Sequence, residues 1–167
     1  MSATSENIGG LYSKLGNRFE AMWLVLKLLE VLGGHAKGLK VEGIGGAFAG
    51  VEACLEFEGL SEWHQTKING AGANWTRRAL AHEGVTAAFK HRLEGSAVDR
   101  CVFISQDPVK SLRNVPDKAM RANDEAEFDK HLNKDERDAV ADLGKEWATT
   151  SETTWQWLRR CRFEPRR

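Results

Sequence analysis

The sequence predicts an α/β domain in which a central sheet of about four strands is flanked by helices and followed by a helical C-terminal part. Three observations carry this. Leu11, Leu15, Phe19, Met22, Trp23, Leu26 and Leu29 recur at three- and four-residue steps, the period of a helix, and Gly33-Gly34 closes the run. Three short glycine-separated runs follow, from Leu39 to Ile44, Gly50 to Phe57 and Leu60 to Lys67. After a further helical stretch, Arg100 to Ser105 is a short apolar run suited to a buried strand.

Each element has its own signal. The second half of the first helix is apolar nearly all round, so it is expected to lie in the core, covered on every side. In the second strand Val51, Ala53, Leu55 and Phe57 alternate with Glu52, Cys54, Glu56 and Glu58, and the apolar set is expected to meet that helix. The three runs read as a meander. Trp75 to Leu93 reads as one or two helices broken near Gly84. Beyond Asp107, prolines at 108 and 116 punctuate short helices, and the charged stretch from Asn123 to Glu146 reads as surface helix. The ending from Arg159 to Arg167 is basic and reads as an unstructured tail or linker.

At 167 residues the chain is expected to form a single domain, with a core at about 12–106, a helical extension at about 107–158 and the tail at 159–167. Twenty-four basic residues balance 24 acidic ones, so any nucleic-acid contact must come from a local patch rather than from global charge. Cys54, Cys101 and Cys161 are odd in number and widely spaced, which speaks against a disulfide framework or a thiolate zinc site. The N-terminus lacks the pattern of a secretory signal. The apolar run Ala21 to Leu32 carries Lys27 and Glu30 and is far short of the ~20 residues of a membrane span. A reducing, cytoplasmic setting without membrane attachment is expected.

The chemistry concentrates on the third strand. Gln65 and Lys67 lie two residues apart and so share a face, in a segment, Glu62-Trp63-His64-Gln65-Thr66-Lys67, that is polar for a strand near a core. A hairpin partner carrying Glu52 brings a carboxylate to that amide and ammonium. Such a set suits a hard divalent cation, Mg²⁺ or Mn²⁺, meeting a phosphodiester, with Glu52 and Gln65 as oxygen ligands and Lys67 beside the attacking water or the phosphate. His64 falls on the other face and reads as a packed or hydrogen-bonded imidazole. Trp75, Arg77 and Arg78 follow the Gly70 to Gly72 segment, where a phosphate backbone can be gripped while the indole packs beneath. An ordinary helix start with surface arginines fits the same residues. Gly43 to Gly50 lacks the Gly-Lys-Ser/Thr of a phosphate loop, and His82-Glu83-Gly84 lacks the second histidine of a zincin.

Gly16-Asn17-Arg18-Phe19-Glu20, Val41-Glu42-Gly43, Gly50-Val51-Glu52, Trp63-His64-Gln65-Thr66-Lys67, Asn74-Trp75-Thr76 and Gly84-Val85, in that order, resemble PD-(D/E)xK endonuclease domains acting on double-stranded DNA. More narrowly, these motifs look like the nuclease domains of bacterial antiphage effectors, the CBASS endonucleases and antiviral STAND ATPases. The resemblance spans about Gly16 to Ser105. It implies a restriction-endonuclease-like core with a mixed sheet, Mg²⁺- or Mn²⁺-dependent cleavage of double-stranded DNA, and supporting roles for Glu20 and Glu42. It also implies control by a fused or associated oligomerisation module such as a STAND ATPase. Glu52 stands where the family often has Asp, and Gln65 where it often has an acid. The second departure keeps an alternative open, a catalytically silent module of the same fold that binds DNA or protein.

Overall fold

The computed structural model describes residues 5–41, 51–68 and 74–165. Helix α1 (Ser5–Leu32) leads and stops at the expected glycines. Gly34 adopts φ +75°, a left-handed conformation open to a residue without Cβ. The N–H of His35 then reaches back to the Glu30 carbonyl at 2.9 Å and that of Gly34 to Val31 at 3.0 Å, satisfying carbonyls the helix end leaves free.

Strands β1 (Gly38–Val41), β2 (Ala53–Glu56) and β3 (Ser61–Lys67) form the antiparallel meander. Helices α2 (Arg77–His82) and α3 (Val85–Gly95), separated by Gly84 at φ +74°, carry the chain over to β4 (Arg100–Ser105), parallel to β3. Four more helices follow: α4 (Val115–Arg121), α5 (Glu125–His131), α6 (Lys134–Trp147) and α7 (Ser151–Leu158). They bring the chain to β5 (Cys161–Pro165), parallel to β4. The five strands lie in sequence order in one mixed sheet. The chain is α/β, and each parallel pair has the long helical crossover that parallel pairing demands.

The two sheet faces differ. Phe103, Cys101, Phe163 and Cys161 pack with α2 to α7 around Trp147, Leu143 and Leu112 in the main core. On the other face Trp23 and Phe19 of α1 cover Val102 and Ile104 in a much smaller cluster. Ala53 pairs with His64, whose ring accepts a hydrogen bond from Trp23, so the apolar face of β2 turns toward α1 as its alternation predicts.

Two expectations are corrected. The sheet has five strands, and the fifth comes from the supposed tail. Cys161 and Phe163 are buried while Arg162 is exposed, a strand alternation that the surrounding arginines conceal in the sequence. Arg160 is equally structural: its guanidinium donates to the carbonyls of Leu93 at 3.1 Å and Ser96 at 2.5 Å, where α3 ends. Second, α1 is not covered all round. Trp23 and Lys27 are buried against the sheet, but Met22, Val25, Leu29 and Leu32 on the far side are exposed, because no further layer of the described residues lies over them. Glu42, the Gly43 to Gly50 connection and the Gly70 to Gly72 segment lie outside the described residues.

Candidate active site

Glu52 sits one residue before β2, at the point where the ladder to β3 breaks off. Its N–H still donates to the His64 carbonyl at 3.0 Å. The next β3 donor, the Thr66 N–H, is taken instead by the Glu52 side chain, at 2.9 Å from Oε2. The other carboxylate oxygen, Oε1, lies 3.4 Å from Lys67 Nζ. One side chain therefore closes the end of the sheet and meets the ammonium that the sequence singles out.

Burial pushes the Glu52 carboxyl above the usual carboxylate range. The Thr66 N–H and the Lys67 charge pull it back in part, and the Glu20 carboxylate pushes it further up. Glu20, on the sheet-facing side of α1, is thus close enough to repel Glu52. Gly16, Asn17, Glu20, Glu52, Thr66 and Lys67 line one cleft of about 220 Å³ between α1 and the end of β3. Asn17 and Glu20, three apart on α1, share a helix face, a spacing that could have marked Asn17 alongside Glu20.

Gln65 occupies the centre of the sheet, paired across to Phe103, and is 2% exposed. Its Oε1 has no hydrogen-bond partner among the described residues. An unsatisfied buried acceptor costs about 1–3 kcal/mol, so the position carries a burden that an apolar side chain avoids. By strand alternation Gln65 shares the face of Lys67 and of its partner Phe103, which belongs to the main core, so it lies away from α1 and is not among the residues that line the cleft.

His64 turns to the opposite face, as expected. The Trp23 indole N–H donates to its Nδ1 at 3.2 Å, which requires a lone pair there and places the ring proton on Nε2. Nε2 stands 3.0 Å from Glu62 Oε1, close in distance though outside hydrogen-bond alignment. Burial works against the Glu62 charge, yet His64, Arg162 and Lys27 outweigh it and hold the carboxyl below its usual range.

The predicted DNA-contact residues separate. Trp75 is buried edge-on against Phe103, ring centroids 5.3 Å apart, as part of the core. Arg77 is engaged by Glu146 at 2.9 Å and Asp142 at 3.5 Å. Arg78 is exposed and lines a second cleft, of about 520 Å³, with Lys67, Thr76 and His82. Lys67, 34% exposed, belongs to both clefts. Thr76, part of the Asn74-Trp75-Thr76 motif, caps α2 by accepting the Ala79 N–H at 3.1 Å; His82 lines the same cleft without belonging to any of the resembling motifs.

Among the described residues no three His, Cys, Asp or Glu side chains gather as a metal cluster. The oxygen donors that line the cleft are the Glu52 and Glu20 carboxylates and the Asn17 side chain; Gln65 is not among its lining residues. Two carboxylates in one cleft fit a Mg²⁺-type ion, which keeps several of its waters. Comparison with known protein families, curated proteins and solved structures finds no match.

Proposed function

We propose that the chain is a metal-dependent endonuclease domain that hydrolyses phosphodiester bonds of double-stranded DNA, on a restriction-endonuclease-like core, as the effector of an antiphage defence protein. One observation carries the reading: Glu20, Glu52 and Lys67, which the sequence motif orders along the chain, line one cleft, and burial there disfavours the Glu52 charge. A carboxylate held against its own solvation gains most from a cation.

In this reading Glu52 and Glu20 would hold the ion, and Gln65 and Glu42 are assigned by the motif alone. Bound Mg²⁺ or Mn²⁺ supplies Lewis-acid stabilisation of the phosphate and a more acidic water. Lys67 offsets the negative charge that grows on the phosphate during attack. Arg78, on the cleft that continues from Lys67, grips the adjoining backbone. The preference for duplex DNA over RNA, the defence role and a regulatory partner such as a STAND ATPase follow from the motif likeness.

The silent-module alternative is favoured by the Glu52–Lys67 ion pair, which satisfies both groups without a metal. Supercoiled and linear duplex DNA incubated with the protein and Mg²⁺ or Mn²⁺ decides between them. The endonuclease nicks and cuts both, and EDTA stops it. Metal-independent binding without any cleavage identifies the silent module.

A further inference from the structure

Six of the large apolar side chains exposed among the described residues belong to α1: Met22, Val25, Leu26, Leu28, Leu29 and Leu32, from 47% to 74% exposed. The same stretch turns Trp23 and Lys27 inward to the sheet. The outward residues are not scattered. Met22, Val25, Leu29 and Leu32 follow one another at steps of three, four and three, the spacing of a coiled-coil seam, with Leu26 and Leu28 on its flanks.

We propose that this stripe is a homodimer interface, in which α1 packs antiparallel against α1 of a second copy of this chain. The spacing commits it to a second copy. All six residues lie at equal sequence distance on either side of residue 27. A two-fold axis beside that position sets Met22 against Leu32 of the other copy, Val25 against Leu29, and Leu26 against Leu28. Such self-complementarity is what an isologous contact requires.

Charge fixes the direction. Arg18 is exposed and continues the seam one step toward the N-terminus. A parallel pair stacks Arg18 on its own copy in the seam, whereas the antiparallel pair centred on residue 27 carries it past the end of the facing helix at Leu32. Antiparallel packing also opposes the two helix dipoles. The area agrees: six such side chains present on the order of 600 Å², the upper end for a monomer's largest apolar patch. Two copies together bury on the order of 1,200 Å², the lower limit of a specific, stable interface. The proposal stands independently of the nuclease reading, since Glu20 and Glu52 lie on the sheet side of α1.

The test is sedimentation velocity on the whole chain from about 1 µM to about 200 µM, a range suited to an interface of this size. Wild type shifts from monomer to dimer, and Val25→Glu with Leu29→Glu stays monomeric with an unchanged circular dichroism melt. Cysteine pairing gives a second readout, because Cys54, Cys101 and Cys161 are all buried. Val25→Cys combined with Leu29→Cys forms an intermolecular disulfide under mild oxidation, and Met22→Cys alone does not. A wild type monomeric throughout, a dimer indifferent to both glutamates, or crosslinking through Met22→Cys in place of the Val25/Leu29 pair overturns the proposal.

Discussion

At the residue scale the site turns on what Glu52 does with its two oxygens. One accepts the Thr66 N–H at the end of β3, and the other faces Lys67. Its carboxyl is held above its usual range chiefly by burial. The folded state therefore binds that proton more tightly than the unfolded chain, so this group's contribution to stability falls as pH rises from about 4.5, its ordinary value, through the raised one. Glu52→Gln keeps an acceptor for the Thr66 N–H and removes the charge. Its melting temperature at pH 7 is expected to equal or exceed that of wild type, while Mg²⁺ stabilises wild type only. Differential scanning fluorimetry with and without Mg²⁺ from pH 4 to 8 checks both, and a clear loss of stability at pH 7 assigns Glu52 a structural role instead. The arginines divide in the same way: under the nuclease proposal Arg78→Ala is expected to lower DNA affinity and to reduce the salt dependence of binding by about one phosphate contact. Arg77→Ala, whose partners are Glu146 and Asp142, leaves that slope unchanged. Fluorescence anisotropy against salt separates the two.

At the scale of elements, the end of the chain shows where patterning is legible and where it is not. β4 spans the predicted Arg100–Ser105 because a fully buried strand is one unbroken apolar run. β5 is short, on the sheet edge, and mixes Cys161 and Phe163 with Arg162 and Glu164, so its composition reads as a tail while its alternation reads as a strand. Phe163 touches both Phe89 and Phe103, at ring separations of 6.0 and 6.5 Å. Phe163→Ala is expected to destabilise by about 3–5 kcal/mol, the usual cost of deleting a buried phenyl ring. Chemical denaturation measures this, and a change under about 1 kcal/mol contradicts the packing of β5. The outward face of α1 escaped the sequence for another reason. A helix apolar all round carries no mark of which side a domain covers, and here the sheet took the side of Trp23. For the candidate site, the strand spacing of Gln65 and Lys67 was readable directly. The approach of Glu20 to Glu52 was not, because it depends on how α1 lies across the end of β3.

At the scale of the whole molecule, the sheet divides the chain into unequal layers. The helices α2 to α7 and the main core lie on one side, and among the described elements α1 alone lies on the other. The cleft opens at the end of β3, where α1 crosses the sheet, and the second cleft continues from Lys67 toward α2. A duplex laid along the two meets Lys67 first and Arg78 beside it. Net charge is zero, so under the nuclease proposal any attraction to DNA rests on these local cations and is expected to weaken as salt rises. Among the described residues no helix is long and apolar enough to cross a membrane. The most direct test is single-turnover cleavage of duplex DNA at saturating Mg²⁺ or Mn²⁺ by wild type, Lys67→Ala and Glu52→Gln, with melting curves run alongside. Each variant is expected to lose at least ~100-fold in rate, the scale on which removing one group that stabilises transition-state charge acts, while remaining folded. Folded variants that cut at the wild-type rate, or a wild type that neither cuts nor gains stability from the metal, contradict the assignment of Glu52 and Lys67 to a nuclease centre.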